Sequence, residues 1–157
     1  MATADDPGVH TDPETDLRRA LAELVTNASR FTRLASSIST DTKPRPWMRA
    51  LSLLEEYGPL RVSELARLDS SSQPTATALL KQLGTAGLVR RQRDPEDSRA
   101  VVVEMTEDGQ AWLAAARDHV GAALAAHLHG RDADRVQRIS RGLHDLRAAV
   151  KNSQHSQ

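Results

Sequence analysis

Ser70, Ser71, Ser72, Gln73, Thr75 and Thr77, with Lys81 a turn further on, crowd short hydrogen-bonding side chains into one stretch of the chain. Side chains of this kind are short enough to approach a base edge and polar enough to bond it. A Gln amide can engage adenine N6 and N7 together, and a Thr methyl can pack on a thymine methyl. Lys81 is longer and suits a phosphate. A helix N-cap needs only one Ser or Thr, so capping alone does not account for the run. A second set follows at Arg91, Arg93, Asp97, Ser98 and Arg99. A guanidinium is drawn into a narrow A·T minor groove, where the negative potential is enhanced. Asp97, two residues before Arg99, is placed to pair with it and hold its direction. As an exposed ion pair alone, that contact contributes only about 0–1 kcal/mol. Arg90, Arg91 and Arg93 cannot all meet one ligand, because alternate strand residues point to opposite faces.

Other chemistries find no constellation. The chain has no cysteine, which excludes disulfides, thiolate zinc sites and thiol redox sensing. Serine is abundant but never set in a Gly-x-Ser-x-Gly elbow, and there is no phosphate loop. His119, His127 and His129 lie near one helix. His127 and His129 point roughly 200° apart on it and cannot share an ion, while zinc asks for four converging ligands. No catalytic residue, metal or cofactor is expected, and the chain does not read as an enzyme.

The elements that would position these side chains are legible from period and punctuation. Thr11 or Asp12 caps a first helix, with Pro13 in its first turn. Its apolar positions Leu17, Leu21, Leu24, Ala28, Phe31, Ala35 and Ile38 step by four and three. That is a heptad seam, although the same pattern also serves a helix packed on its own domain. Pro44 and Pro46 mark a break. A helix over Trp47–Tyr57 carries Trp47, Leu51 and Leu54 on one face, and Gly58-Pro59 ends it. Leu60-Arg61 forms a minimal strand. Ser63 is expected to cap a short helix through Leu68. Ser72 caps the next, which runs to about Ala86 and stops at Gly87. Strands over Leu88–Arg93 and Ala100–Met105 flank a turn at 94–98. Thr106 caps a helix reaching about His129, closed by Gly130. A last helix from Asp132 has Val136, Ile139, Leu143, Leu146 and Val150 at steps of three and four.

The order helix, turn, helix, strand, hairpin, strand is that of a winged helix-turn-helix, which sets its second helix in the DNA major groove. The fold class is mainly α with a small β-wing, plus N- and C-terminal dimerisation helices. The expected organisation is an acidic disordered tail (1–11), a dimerisation helix (12–39), a winged module (44–106), C-terminal dimerisation helices (107–151) and a disordered tail (152–157).

Bulk properties agree with this reading. The chain has 157 residues, 39% hydrophobic but only 3% aromatic, so its core must be aliphatic. Such a composition suits helices better than a β-sandwich. The longest apolar stretches fall far short of a membrane span. The N-terminus is acidic up to Arg18, unlike a secretory or transit signal. A cytoplasmic location is the default. The net charge of zero argues against DNA until it is read locally. From Ser70 to Val103 the bases Lys81, Arg90, Arg91, Arg93 and Arg99 outnumber the acids Asp94, Glu96 and Asp97. A phosphate feels only charges within about a Debye length, ~8 Å at physiological salt.

From about Asp12 to Lys151 the sequence resembles the MarR family of winged-helix transcriptional regulators. The resemblance is carried by Leu83 and Gly87 at the end of the recognition helix, then Leu88, Val89 and Arg91, an Asp-x-Arg at Asp97, Ser98 and Arg99, and a Thr-x-x-Gly at Thr106 and Gly109. Ser98 stands where the family commonly has a second wing arginine, and Gly84 where it commonly has Glu. A Gly inside a helix costs roughly 1 kcal/mol against Ala; close packing of the helix end, or a loosened last turn, would account for it.

The resemblance implies a homodimeric repressor on a pseudo-palindromic double-stranded operator. Leu17, Leu21, Leu24, Val136, Ile139, Leu143 and Leu146 would form the dimer seams, with release by a small-molecule effector. Phe31, Trp47, Met48 and Leu51 are pocket candidates by position, although each suits plain core better. The alternatives are an architectural DNA-binding protein without effector, and a winged module used for protein contact. The latter would need an apolar recognition helix, which the Ser/Thr/Gln run does not provide.

Overall fold

Two clusters of internal contacts, Met1–Thr40 and Asp41–Gln157, organise the computed structural model, which describes residues 12–38, 44–94, 97 and 99–154. The first contains one helix, α1 (Pro13–Ile38). Along it Leu17, Leu21, Val25, Phe31 and Leu34 are exposed and Ala35 is buried.

The second cluster runs α2 (Arg45–Tyr57), β1 (Leu60–Arg61), α3 (Val62–Leu68), α4 (Gln73–Thr85), β2 (Val89–Arg93), β3 (Val101–Met105), α5 (Glu107–Ala125), a single 3-10 turn (Gly130–Asp132) and α6 (Ala133–Gln154). β3 is the centre of an antiparallel sheet ordered β1-β3-β2. Arg91 faces Val103 in the ladder and Arg93 faces Val101. The core is aliphatic, as the scarcity of aromatics demands. Leu51 of α2, Leu65 of α3, Leu80 and Leu83 of α4, Val103 of β3 and Leu113 of α5 are its largest fully buried side chains. Trp47 and Trp112 close one margin, with ring centroids 5.7 Å apart.

Thr106 joins the wing to α5. The Thr106 hydroxyl donates to Gly87 O at 2.7 Å and accepts from Gly109 N at 3.1 Å. Thr106 N donates to Leu88 O at 3.1 Å. A single capping residue thus ties the turn after α4 to the start of α5. Gly87 ends its turn at φ 75°, the left-handed conformation that glycine adopts at little cost.

α6 is attached at one end and bare along its length. Arg147 reaches Glu56 at 3.3 Å, Lys151 pairs with Glu56, and the Lys151 ammonium lies 4.3 Å over the Tyr57 ring. The Lys151 hydrogen bond, foremost, holds Glu56 below the usual carboxylate range. The same bond raises the Lys151 ammonium. Yet no residue of α6 is buried, and Val136, Ile139, Leu143, Leu146 and Val150 all face outward.

Several boundaries differ from the sequence reading for local reasons. α2 begins at Arg45, because Pro44 and Pro46 frame its first turn rather than precede it. Ser63 does not cap α3. That helix starts at Val62, and the Glu64 carboxylate accepts the Arg61 N–H at 2.7 Å instead. α5 stops at Ala125, short of His129. His127 N and Leu128 N bond the carbonyls three residues back, tightening the chain before Gly130. α6 begins at Ala133 and continues through Gln154, beyond the expected boundary at Lys151. The expected tail at 1–11, and positions 155–157 of the C-terminal one, lie outside the described residues. Among the described residues no helix is long and apolar enough to cross a membrane.

Candidate nucleic-acid interface

The turn between α3 and α4 explains much of the serine run. Ser71 N bonds Ala66 O at 2.9 Å and Ser70 N bonds Arg67 O at 3.3 Å, with Ser70 at φ 53°. This is a Schellman ending with serine where glycine is usual. Ser71 Oγ is buried and, among the described residues, has no hydrogen-bond partner. Ser72 caps α4: its Oγ accepts the Thr75 N–H at 3.3 Å and lies 2.7 Å from Thr75 Oγ1. The three serines therefore shape the turn and the cap before they contact anything else.

α4 buries Ala76, Leu79, Leu80 and Leu83 and exposes Gln73, Pro74, Thr75, Thr77, Ala78 and Lys81. Buried positions three and four apart leave the opposite side to solvent. The Thr77 hydroxyl donates to Gln73 O at 2.8 Å, so its methyl and lone pairs remain for a ligand. Gln73 and Lys81 stand out with their polar ends uncommitted by any bond within the described residues. Gln82, absent from the sequence candidates, accepts the Trp47 Nε1–H at 3.3 Å and links α4 to α2.

On the wing, Arg90 pairs with Glu104, and Gln92 donates to the same carboxylate at 2.7 Å. Arg90 and Gln92 thus share one face of β2. Arg91 and Arg93 share the other and are exposed. Among the described residues, Lys81, Arg91, Arg93 and Arg99 have no ion-pair partner, whereas Arg49, Arg61 and Arg90 each do. The uncommitted cations of α4 and the wing are thus the ones that strand parity and helix position single out. Lys81 and Arg91 line one open groove with Leu80, Gly84 and Val89.

Asp97 does not pair with the Arg99 guanidinium as expected. One oxygen, Oδ1, accepts the Arg99 backbone N–H at 3.1 Å, and the other lies 3.6 Å from the Arg61 guanidinium. A two-residue spacing lets the carboxylate reach the backbone of the turn sooner than a side chain that extends away. Arg61 was invisible as a wing residue in the sequence, because its partners lie over thirty positions downstream and on another element. Ser98 lies outside the described residues.

Gly84 is not explained by close packing, since a Cβ there would meet nothing within 4 Å. Gly84→Ala is accordingly expected to raise stability by up to about 1 kcal/mol, read as a higher urea midpoint. A lower midpoint would mean that the glycine serves the fold in a way its surroundings do not show. The effector candidates separate: Leu51 is fully buried, Trp47 and Met48 pack against the core, and Phe31 is exposed on α1 of the other unit.

Against known proteins, residues 44–101 match the model of the MarR family. The chain is 32% identical over 108 residues to an HTH-type transcriptional regulator of Bacillus subtilis, YfiV, a match covering 69% of this chain and 68% of that one. It is 37% identical over 63 residues to the HTH-type transcriptional repressor NicR of Pseudomonas putida, covering 40% of each chain. In fold it is similar to a MarR family protein from Bacillus stearothermophilus, with a TM-score of 0.63 at 23% identity, covering 90% of this chain and 99% of that chain. With a helix-turn-helix closed by a Schellman turn, an outward polar helix and an arginine-bearing wing all in the family's order, the chain belongs to the MarR family of winged helix-turn-helix transcriptional regulators.

Proposed function

We infer that the protein is a homodimeric repressor. The N-terminal half of α4 reads major-groove bases, and Arg99 of the wing enters or flanks the adjacent minor groove. A small-molecule effector releases the protein from its operator. The observation that carries the DNA assignment is the partition of cations. Among the described residues Lys81, Arg91, Arg93 and Arg99 are left without ion-pair partners on α4 and the wing, while Arg49, Arg61 and Arg90 are neutralised. Unpaired cations release counterions when they meet phosphate, which supplies most non-specific affinity. The name of the Pseudomonas putida relative supports repression. Dimerisation is supported by the exposed Leu17, Leu21 and Phe31 of α1 and by the bare apolar stripe of α6. Two-fold symmetry then calls for half-sites about one helical turn apart.

Base preference on a randomised duplex library separates the two contacts. Arg99→Ala is expected to lower affinity for most sequences while leaving major-groove preference in place, because a minor-groove arginine reads width and charge. Gln73→Ala is expected to relax preference at particular base pairs, by about 1–3 kcal/mol for a bidentate contact. Thr75→Ala should relax preference as well, and also loosen the cap that Ser72 and Thr75 share. The reverse pattern would exchange the roles of helix and wing. Unchanged DNA binding in all three variants would move the module to protein contact.

A further inference from the structure

We propose that Arg61 is a positioning residue for the wing: from β1, outside the hairpin, it straps both flanks of the hairpin tip and so sets where Arg99 stands. This rests on the DNA reading above, but its geometry does not. The Arg61 guanidinium donates to Asp94 Oδ2 through Nε at 3.0 Å and through a terminal nitrogen at 2.7 Å. That terminal nitrogen also lies 3.6 Å from Asp97 Oδ2. Asp94 is largely buried, with its side chain 12% exposed. The other oxygen of Asp97 accepts the Arg99 backbone N–H at 3.1 Å. The turn is closed by Asp94 N to Ala100 O at 3.0 Å and Ala100 N to Asp97 O at 2.8 Å. Hydrogen bonds to Asp94 and a longer ion-pair contact to Asp97 therefore link β1 to the carboxylate that holds the backbone of Arg99.

β1 pairs with β3 through only Leu60↔Val103 and Arg61↔Val102. Side chains must then do what a longer ladder would do to tie the hairpin end to the helical body. Arginine suits the task, since its planar fork reaches two carboxylates at once, which an ammonium does less well. The Arg61 end of the pair is 43% exposed and screened by solvent, so the pair adds only modestly to global stability. The consequence is orientation, and an arginine already ordered before binding loses less entropy when it meets DNA.

The test uses the full chain and a duplex recovered by selection from a random library. The chain has no cysteine, so Val101→Cys, at an exposed site opposite Arg93, takes a single nitroxide label that reports wing motion in the free protein. Arg61→Ala is expected to narrow the label's spectrum with little change in the thermal midpoint and to weaken duplex binding roughly tenfold. Adding Arg61→Ala to Arg99→Ala should cost almost nothing more, because coupled residues are not additive. Asp94→Asn should mimic Arg61→Ala, and Arg61→Lys should restore part of the loss. An unchanged spectrum in Arg61→Ala overturns the proposal. So do losses that add to those of Arg99→Ala with a salt slope lowered by about one, which would make Arg61 a phosphate contact in its own right. If Arg99→Ala leaves affinity unchanged, the DNA role of the wing fails, while the label still decides the strap.

Discussion

Leu143→Asp is expected to leave the protein without a dimer and, with it, without measurable operator binding. α6 spans 22 residues and buries none of them. Val136, Ile139, Leu143, Leu146 and Val150 stand 41–56% exposed at steps of three and four. An unbroken stripe of this kind on one helix face is the pattern of a seam between helices. Leu143 is the least exposed of the five and lies at their middle. Fully covering one such side chain contributes about 1.5–3 kcal/mol. A carboxylate there brings an unpaired charge into the seam, and two-fold symmetry places it twice. Leu21→Asp on α1 should act in the same direction. Arg141, two residues back and so ~200° round the helix, provides the contrast: Arg141→Ala should stay dimeric. Sedimentation at micromolar concentration reads the result. A wild-type chain that sediments as a folded monomer sinks the dimer, and with it the palindromic operator.

The second large effect is on stability, at Gly109. A Cβ at this position would overlap the carbonyl oxygen of Leu88 and come within 2.8 Å of Met105 Cγ and 3.1 Å of Leu88 C. The methionine can move aside, but the Leu88 backbone cannot move freely, because its oxygen already accepts the Thr106 N–H. Gly109→Ala should therefore cost on the order of 3 kcal/mol, combining overpacking with a weakened backbone hydrogen bond. Urea unfolding would show it as a lower midpoint at unchanged slope. A midpoint within error of wild type would mean that α5 can slide away from the wing, and that the Thr-x-x-Gly spacing serves something other than close approach. The open surroundings of Gly84 make Gly84→Ala the opposite case on the same backbone chemistry.

These two sites show what kinds of information a sequence carries. The apolar stripe of α6 was readable because it is periodic, and a period of three and four needs no knowledge of neighbours. Gly109 was readable only as part of a resemblance; its reason is a carbonyl more than twenty residues upstream, brought there by the turn of the wing. The serines before α4 were read as base contacts. Their composition fits either role, and only backbone geometry shows that Ser70 and Ser72 complete the turn and the cap. Asp97 was paired with the wrong arginine for a related reason. Sequence proximity favoured Arg99, while the fold delivers Arg61 from another strand.

By itself, the sequence determined the order of elements, the outward polar character of α4, the parity that separates Arg91 and Arg93 from Arg90, and the aliphatic core. Each follows from local steric preference or from a period of two or 3.6 residues, which act over a few neighbours. The tertiary structure alone decided which cations are neutralised and which remain for a ligand. It also decided where a glycine meets a backbone carbonyl and which arginine meets Asp94 and Asp97. Those outcomes depend on side chains far apart in the chain coming within a few ångströms. Such distances are set by packing of the whole body, and no local pattern encodes them.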